Sequence, residues 1–395
     1  MKVNIILGAR RSNLVTTPIL ILAALSVLLN ISAEESHATL FFEIIVLLFC
    51  AVPNPRLPSK QLLIIIATSI YITCSFLYAY FLNNTGFLDF ALAYKAFYYL
   101  ILLSFCSSNA HFPLKRLDIL LKLLIVFFVI KYSISRLILG ISRPILFTEN
   151  NYELIFVIII YYINFTLLKK LQTSWLLLLI LVFLLSGSRS SIAALAFTIP
   201  FMTMRRIDQK TVIGIILLSI STLSLYYIFS DRLAGNSIDS IDRVKFLNLF
   251  LYEVRDWNLL NFLLGSERLT PLSNYTCQSL SYYQTLMSYK GDGSCYSVAL
   301  HSYILRAIFD HGLIVLSALT LSIVFLLSRA GYSRAQILCI LGIITITSFS
   351  VSSLNNAYVA LALAITIAAG RTRLLANMDS RIQPHEYNYQ LKIPS

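Results

Sequence analysis

The chain has 395 residues, of which 58% are hydrophobic and only 12% charged, and its mean hydropathy is +0.78. A soluble domain carries about twice that charged fraction, which excludes a string of soluble domains and predicts about a dozen bilayer spans of about 20 residues each. The net charge is +13, from 31 Lys and Arg against 18 Asp and Glu; most of the excess sits in short loops between apolar runs, where it sets topology, so no nucleic-acid partner is expected.

In chain order, apolar runs predict spans at 14–31, 38–52, 61–82, 88–108, 117–139, 152–168, 174–187, 190–204, 211–229, 302–328, 335–350 and 354–370. The first run follows Lys2, Arg10 and Arg11. A cleaved signal peptide is the rival reading there, helped by small residues near Ser32 and Ala33. The run is long for that purpose and further spans follow at once.

Loop charge orients the set. Arg56 and Lys60, Lys115 and Arg116, Lys169 and Lys170, Arg205, Arg206 and Lys210, Arg329 and Arg334, and Arg371 and Arg373 all fall on the N-terminal side. The opposite side carries Glu34 and Glu35, Asn83, Asn84 and Asp89, and few cations. The expected fold is therefore an all-α polytopic integral membrane protein with about 12 transmembrane helices, both termini cytoplasmic, and one large outer loop between helices 9 and 10. Its divisions are 1–230 for helices 1 to 9, 231–300 for the loop, 301–370 for helices 10 to 12, and 371–395 for a cytoplasmic tail with little structure. No internal repeat is visible, nor are the paired broken helices of many secondary transporters.

Two outer turns precede the loop. Arg143 to Glu153 joins spans five and six. Glu149 and Glu153 stand one helical turn apart, and Arg143 is suited to an anion; a local Arg–Glu pair that only shapes the loop is the alternative. Ser186-Gly187-Ser188-Arg189-Ser190-Ser191 joins spans seven and eight. Small residues there allow close backbone approach, and an Arg fork suits phosphate oxygens, unless Arg189 merely snorkels to headgroups. Within the spans, Lys95, Lys131 and Arg136 are costly cations that need partners. Glu43 is one candidate partner. They line a route for an anionic headgroup or form structural pairs.

The long segment carries Arg232, Arg243, Arg255 and Arg268. Ile241, Val244, Leu247, Leu251 and Val254 recur at helical spacing, predicting an amphipathic helix capped by Asp239 or Ser240. Trp257 to Leu264 follow, ending at Gly265, and should lie on the membrane surface or over the bundle. Ser266 to Leu300 reads as an ordered loop rich in Ser and Tyr. Cys277 and Cys295 are candidates for a disulfide in an oxidising outer compartment, whereas Cys50, Cys74, Cys106 and Cys339 read as small apolar residues within spans. His301 opens span ten beside arginines, where an imidazole can act as a general base or simply as an interfacial residue. No DxD, P-loop, GxGxxG or HExxH motif is present.

Taken together, these features resemble the bacterial O-antigen polymerases (Wzy-type) and O-antigen ligases (WaaL-type). Three patterns carry the resemblance: Gly187-Ser188-Arg189, Arg243 with the helix ending Leu263-Leu264-Gly265, and His301-Ser302-x-x-Leu305 running to Gly312-Leu313. Gly265-Ser266-Glu267 departs from the family's Gly-x-Gly. The resemblance implies a metal-independent membrane glycosyltransferase, without cofactor, in the inner membrane with its site facing the periplasm. It further implies an undecaprenyl-pyrophosphate-linked glycan as substrate and a polysaccharide chain-length regulator as a partner. The expected catalytic residues are His301, Arg189, Arg243 and Glu149. Arg143, Arg136, Lys131, Glu153, Arg268 and Tyr283 are expected to bind substrate, with Tyr282, Tyr289 and Tyr296 as further stacking faces. Polymerisation of repeat units to O-antigen or a similar surface polysaccharide is the leading expectation. Ligation to lipid A-core and a lipid-linked oligosaccharide flippase are the alternatives.

Overall fold

The computed structural model describes residues 2–29, 38–51, 57–169, 172–203, 242–283 and 286–387. The expected ninth span at 211–229, the cations Arg205, Arg206, Lys210 and Arg232, and the caps Asp239 and Ser240 lie outside the described residues. Among those residues the chain is helical, with no strand. We number the helices α1 (Lys2–Leu29), α2 (Ala38–Cys50), α3 (Ser59–Phe81), α4 (Phe87–Ala93), α5 (Lys95–Asn109), α6 (Leu114–Ser133), α7 (Asn150–Leu168), α8 (Thr173–Ser186) and α9 (Arg189–Thr203). Then follow α10 (Asp242–Glu253), α11 (Leu259–Leu264), α12 (Asn274–Ser279), α13 (Tyr303–Arg329), α14 (Arg334–Ser348) and α15 (Ala357–Tyr387).

Five of these helices are long and apolar enough to cross a membrane: Ser12–Leu29, Ser59–Phe81, Asn150–Leu168, Tyr303–Arg329 and Ala357–Asn377. The α4–α5 pair makes a sixth if its 57° bend is one broken span. The helices α2, α8 and α14 are apolar but only 13, 14 and 15 residues long, about 20 Å of rise against a hydrocarbon core of about 30 Å. The protein is thus a helical one with several membrane-crossing candidates.

The core is built on α15 and α7. Every residue from Ala357 to Ala369 is buried, and the alanines among them let α2, α5 and α7 approach closely. The outward face of α3 bears Leu63, Ile70 and Phe81, all exposed, as a lipid-facing surface requires. Past residue 370 the chain does not turn to irregular tail but stays helical to Tyr387. Arg371 caps the carbonyl of Ser107 (2.6 Å) and Arg373 that of Gly331 (2.8 Å), so this part of α15 is tied to α5 and to the turn after α13.

Two helices are broken, which the sequence did not reveal. Between α4 and α5 the bond that Ala96 N–H would make to the Leu92 carbonyl is replaced by the Asn355 side chain. Its Nδ2 donates to Leu92 O (2.6 Å) and its Oδ1 accepts from Ala96 N–H (2.8 Å); the next carbonyl, Ala93, accepts from Arg306 (3.3 Å). In α13, Gly312 leaves the helical region with φ +71° and ψ 172°. The carbonyls of Phe309 and Asp310, freed by that break, accept from Ser266 N–H (2.6 Å) and Arg268 (3.1 Å). Buried backbone groups must find partners, and both breaks have them.

The predicted amphipathic helix exists as α10, but it is rotated from the expected face. Phe246, Leu249, Phe250 and Val254 are buried, whereas Leu247 (44% exposed) and Leu251 (53%) face outward. The buried side packs on Leu272, Leu280, Leu300, Phe309 and the Cys277–Cys295 pair, which are joined in a disulfide. Glu253 at the end of α10 takes the Ser273 N–H (3.2 Å) and the Thr276 hydroxyl, fastening α10 to α12.

Candidate functional site

His301 ends a short 3-10 turn, Ser297–Leu300, in a left-handed conformation (φ +51°), strained for a residue other than glycine. Its Nε2 lies 3.9 Å from Oε1 of Glu149, within ion-pair range and beyond a direct hydrogen bond. Glu149 sits just ahead of α7 in extended backbone. Burial raises its carboxyl, but His301, the Asn151 amide (3.2 Å) and the charge of Arg143 outweigh that and hold it below the ordinary value.

The Ser186–Ser191 turn joins the same group. Asn150 donates to the Ser186 carbonyl (2.9 Å), and the Ser188 hydroxyl donates to Asn151 Oδ1 (2.6 Å). A continuous polar chain therefore runs from His301 through Glu149 and Asn151 to Ser188, next to Arg189 at the first position of α9. Gly187 is left-handed (φ +64°), and a Cβ there would lie 2.9 Å from the Ser142 carbonyl, so the two turns approach backbone to backbone.

Beneath this chain is a cavity of about 420 Å³. Glu149 and His301 line it, with Arg306, Lys95, Asp89, Tyr152, Ser352, Tyr289 and Tyr296 among the other lining residues. Asp89 is fully engaged, accepting from the Ser288 hydroxyl (2.9 Å) and Tyr289 N–H (3.1 Å), which ties the end of the long segment over the cavity. No protein-family model matches the chain, and no curated protein matches it. The site is thus read from its own geometry. Among the described residues no group of three or more His, Cys, Asp or Glu is placed to hold a metal ion.

The other expected residues are distributed as follows. Arg189 and Arg243 are half-buried and lie outside the cavity lining; Arg243 is on the first turn of α10, one turn before Phe246, whose ring faces His301 at 6.5 Å. Arg143 is exposed and reaches the site through its field on Glu149. Arg136 donates to the Ser142 carbonyl. Lys131 donates to the Ser26 carbonyl (2.9 Å) and feels Glu153; Glu43, the candidate partner for the span cations, pairs with Lys95. Glu153 is fully buried and accepts from the N–H groups of Leu146 (2.9 Å), Phe147 (2.6 Å) and Thr148 (2.7 Å), so its carboxylate shapes the turn before α7. Arg268 braces the break in α13 and lies over the Tyr71 ring (5.4 Å). Tyr283 packs on Phe246 (5.7 Å), outside the lining, whereas Tyr289 and Tyr296 are in it.

Sequence reasoning passed over Arg306, Tyr152, Ser352 and Asn355. For Arg306 a signal existed: a single arginine inside an apolar span marks a site. For the others, ordinary polar residues in short polar turns, none did.

Proposed function

We propose that this chain is an inner-membrane protein of about twelve spans with cytoplasmic termini, and that it polymerises undecaprenyl-pyrophosphate-linked repeat units on the periplasmic face. The observation that carries this reading is the meeting of Glu149 and His301 at the mouth of one cavity, joined through Asn151 and Ser188 to the arginine turn. Residues 149, 188 and 301 are far apart in sequence. A reaction between two sugars at a lipid-linked pyrophosphate calls for such a grouping.

In the proposed step an acceptor hydroxyl attacks the anomeric carbon of the donor. The new C–O bond forms as the bond to the pyrophosphate oxygen breaks, and that oxygen keeps the electron pair. The hydroxyl proton passes to Glu149 or to His301, which are close enough to share it. Arg189, supported by Arg143 and Arg243, offsets the charge growing on the leaving group. Tyr289 and Tyr296 offer faces to the glycan.

The broken helices favour a second reading, a lipid-linked oligosaccharide flippase, because discontinuous spans often flank transport sites. Here Asn355, Arg306, Ser266 and Arg268 take up the freed backbone carbonyls, which favours the enzyme. Cysteine accessibility at positions 95 and 131 from each side of the membrane separates the two; reach from both sides supports the flippase. For the polymerase, Arg189→Ala and Arg243→Ala should abolish long glycan chains while the protein still inserts, and an unchanged chain-length ladder would sink it. Deletion of the gene should leave one repeat unit on the core, whereas loss of a ligase leaves none.

A further inference from the structure

We propose that the cavity reads the carboxylate of an acidic sugar through the guanidinium of Arg306. The sugar rests on the glycan reading above; the carboxylate rests on Arg306.

Of the two cations that line the cavity, Lys95 and Arg306, only Lys95 has a carboxylate within ion-pair distance among the described residues. Lys95 is ion-paired with Glu43. Asp89 accepts two hydrogen bonds from the segment above it. Glu149 stands against His301 and Asn151. Arg306 is 3% exposed, yet its hydrogen-bond acceptors are neutral: the Ser352 hydroxyl (3.2 Å) and the Ala93 carbonyl (3.3 Å). Among the described residues no carboxylate comes within 4.0 Å of it. Asp310, one turn further along α13, acts on it from beyond that distance and accepts instead from Ser297. A buried guanidinium whose hydrogen bonds go only to neutral acceptors, with Asp310 acting from beyond ion-pair distance, is costly to maintain, and its five donors are not exhausted by two bonds.

The charge around it selects the class of anion. Two carboxylates, Asp89 and Glu149, line the same cavity as the two cations Lys95 and Arg306. A multivalent pyrophosphate would meet both carboxylates. A single carboxylate needs only one planar fork, which Arg supplies in bidentate geometry. Tyr289 and Tyr296 add aromatic walls, and Tyr152 and Ser352 add hydroxyls, a mixture suited to a pyranose ring.

The test uses the full chain in lipid nanodiscs and saturation-transfer NMR with methyl β-glucuronide, methyl β-glucoside and inorganic pyrophosphate. The glucuronide should bind and the glucoside should bind at least about ten-fold more weakly. Arg306→Met should remove that difference and Arg306→Lys should keep part of it. Equal binding of the two glycosides, binding of neither, or displacement of the glucuronide by equimolar pyrophosphate overturns the proposal. The wild-type comparison holds even if a variant does not fold. Failure of the glycan reading looks different: a protein that prefers the glucuronide but leaves the chain-length ladder untouched keeps the carboxylate site and loses the polymerase. A protein that builds the ladder and binds both glycosides alike does the reverse.

Discussion

Gly265 and Gly312 meet backbone to backbone. A Cβ at Gly265 would lie 2.7 Å from the Gly312 nitrogen and 2.8 Å from that of His311, and one at Gly312 would strike Gly265 and the Leu263 carbonyl. The end of α11 is thereby seated in the break of α13, where Ser266 and Arg268 occupy the exposed carbonyls. Both glycines also have positive φ. Gly312→Ala should therefore destabilise the protein by at least about 2 kcal/mol, from strain and clash together. Thermal melting in detergent checks this, and a melting temperature equal to wild type contradicts it.

The disulfide closes a loop between residues 18 apart, beneath the buried face of α10. Removing it with Cys277→Ser and Cys295→Ser should cost about 3 kcal/mol by loop-closure entropy. Proteolysis of the 242–300 region should then become faster, and a reductant should have the same effect on wild type. Equal cleavage rates before and after reduction would count against the bridge as a stabiliser.

Asn355 stands in for one helical hydrogen bond with both ends of its amide. Asn355→Leu leaves the Leu92 carbonyl and Ala96 N–H buried without partners, at about 1–3 kcal/mol for each group. Asn355→Asp keeps the acceptor and loses the donor, so it should fall between wild type and Leu. Melting of the three proteins gives the order, and a Leu variant as stable as wild type would refute the role.

Glu149→Gln should lower glycan polymerisation by about 10²- to 10⁴-fold if its carboxylate takes the proton. Its folding stability should change by less than about 1 kcal/mol, because the side chain is partly exposed. His301→Asn is the informative partner variant, since Asn tolerates the left-handed backbone at that position and removes only the imidazole. Chain-length ladders, with protein level as the control, give the result. Full ladders in both variants would remove this pair from the mechanism.

The pH dependence follows from the lowered Glu149. A carboxyl whose folded value is depressed contributes stability above its unfolded value and loses that contribution as pH falls through the folded one. The acid limb of activity set by this group should therefore lie below 4.5, the ordinary Glu value. Arg143→Ala removes one of the lowering influences and should move the limb upward toward that value. A pH–rate profile of the two proteins decides it, and a limb that stays in place contradicts the assignment.

Much of this molecule was legible in its residues. Apolar runs at 61–82, 152–168, 302–328 and 354–370 became helices near those bounds, because an unbroken apolar stretch has few other ways to satisfy its backbone. The pairing of Cys277 with Cys295 followed from their shared polar segment. His301 and Glu149 are far apart in the sequence, and only the fold sets them 3.9 Å apart. The face of α10 was misjudged because Leu247 and Leu251 fit a helical period as well as Phe246 and Phe250 do; only the partner surface distinguishes them.

What the sequence determined by itself is the class of the protein: helical and apolar, with most of its charge in the loops and few charged groups within the apolar runs. Tertiary structure alone decided which of those polar groups meet. It broke α13 at Gly312 and separated α4 from α5 with Asn355, and it turned Glu153 into a backbone clamp while bringing Glu149 to His301. It also buried Arg306 against neutral partners at the cavity wall. The physical reason is range. Hydropathy and helix propensity act within about twenty residues of chain, whereas the satisfaction of a buried carbonyl or guanidinium depends on groups that the fold brings from hundreds of residues away.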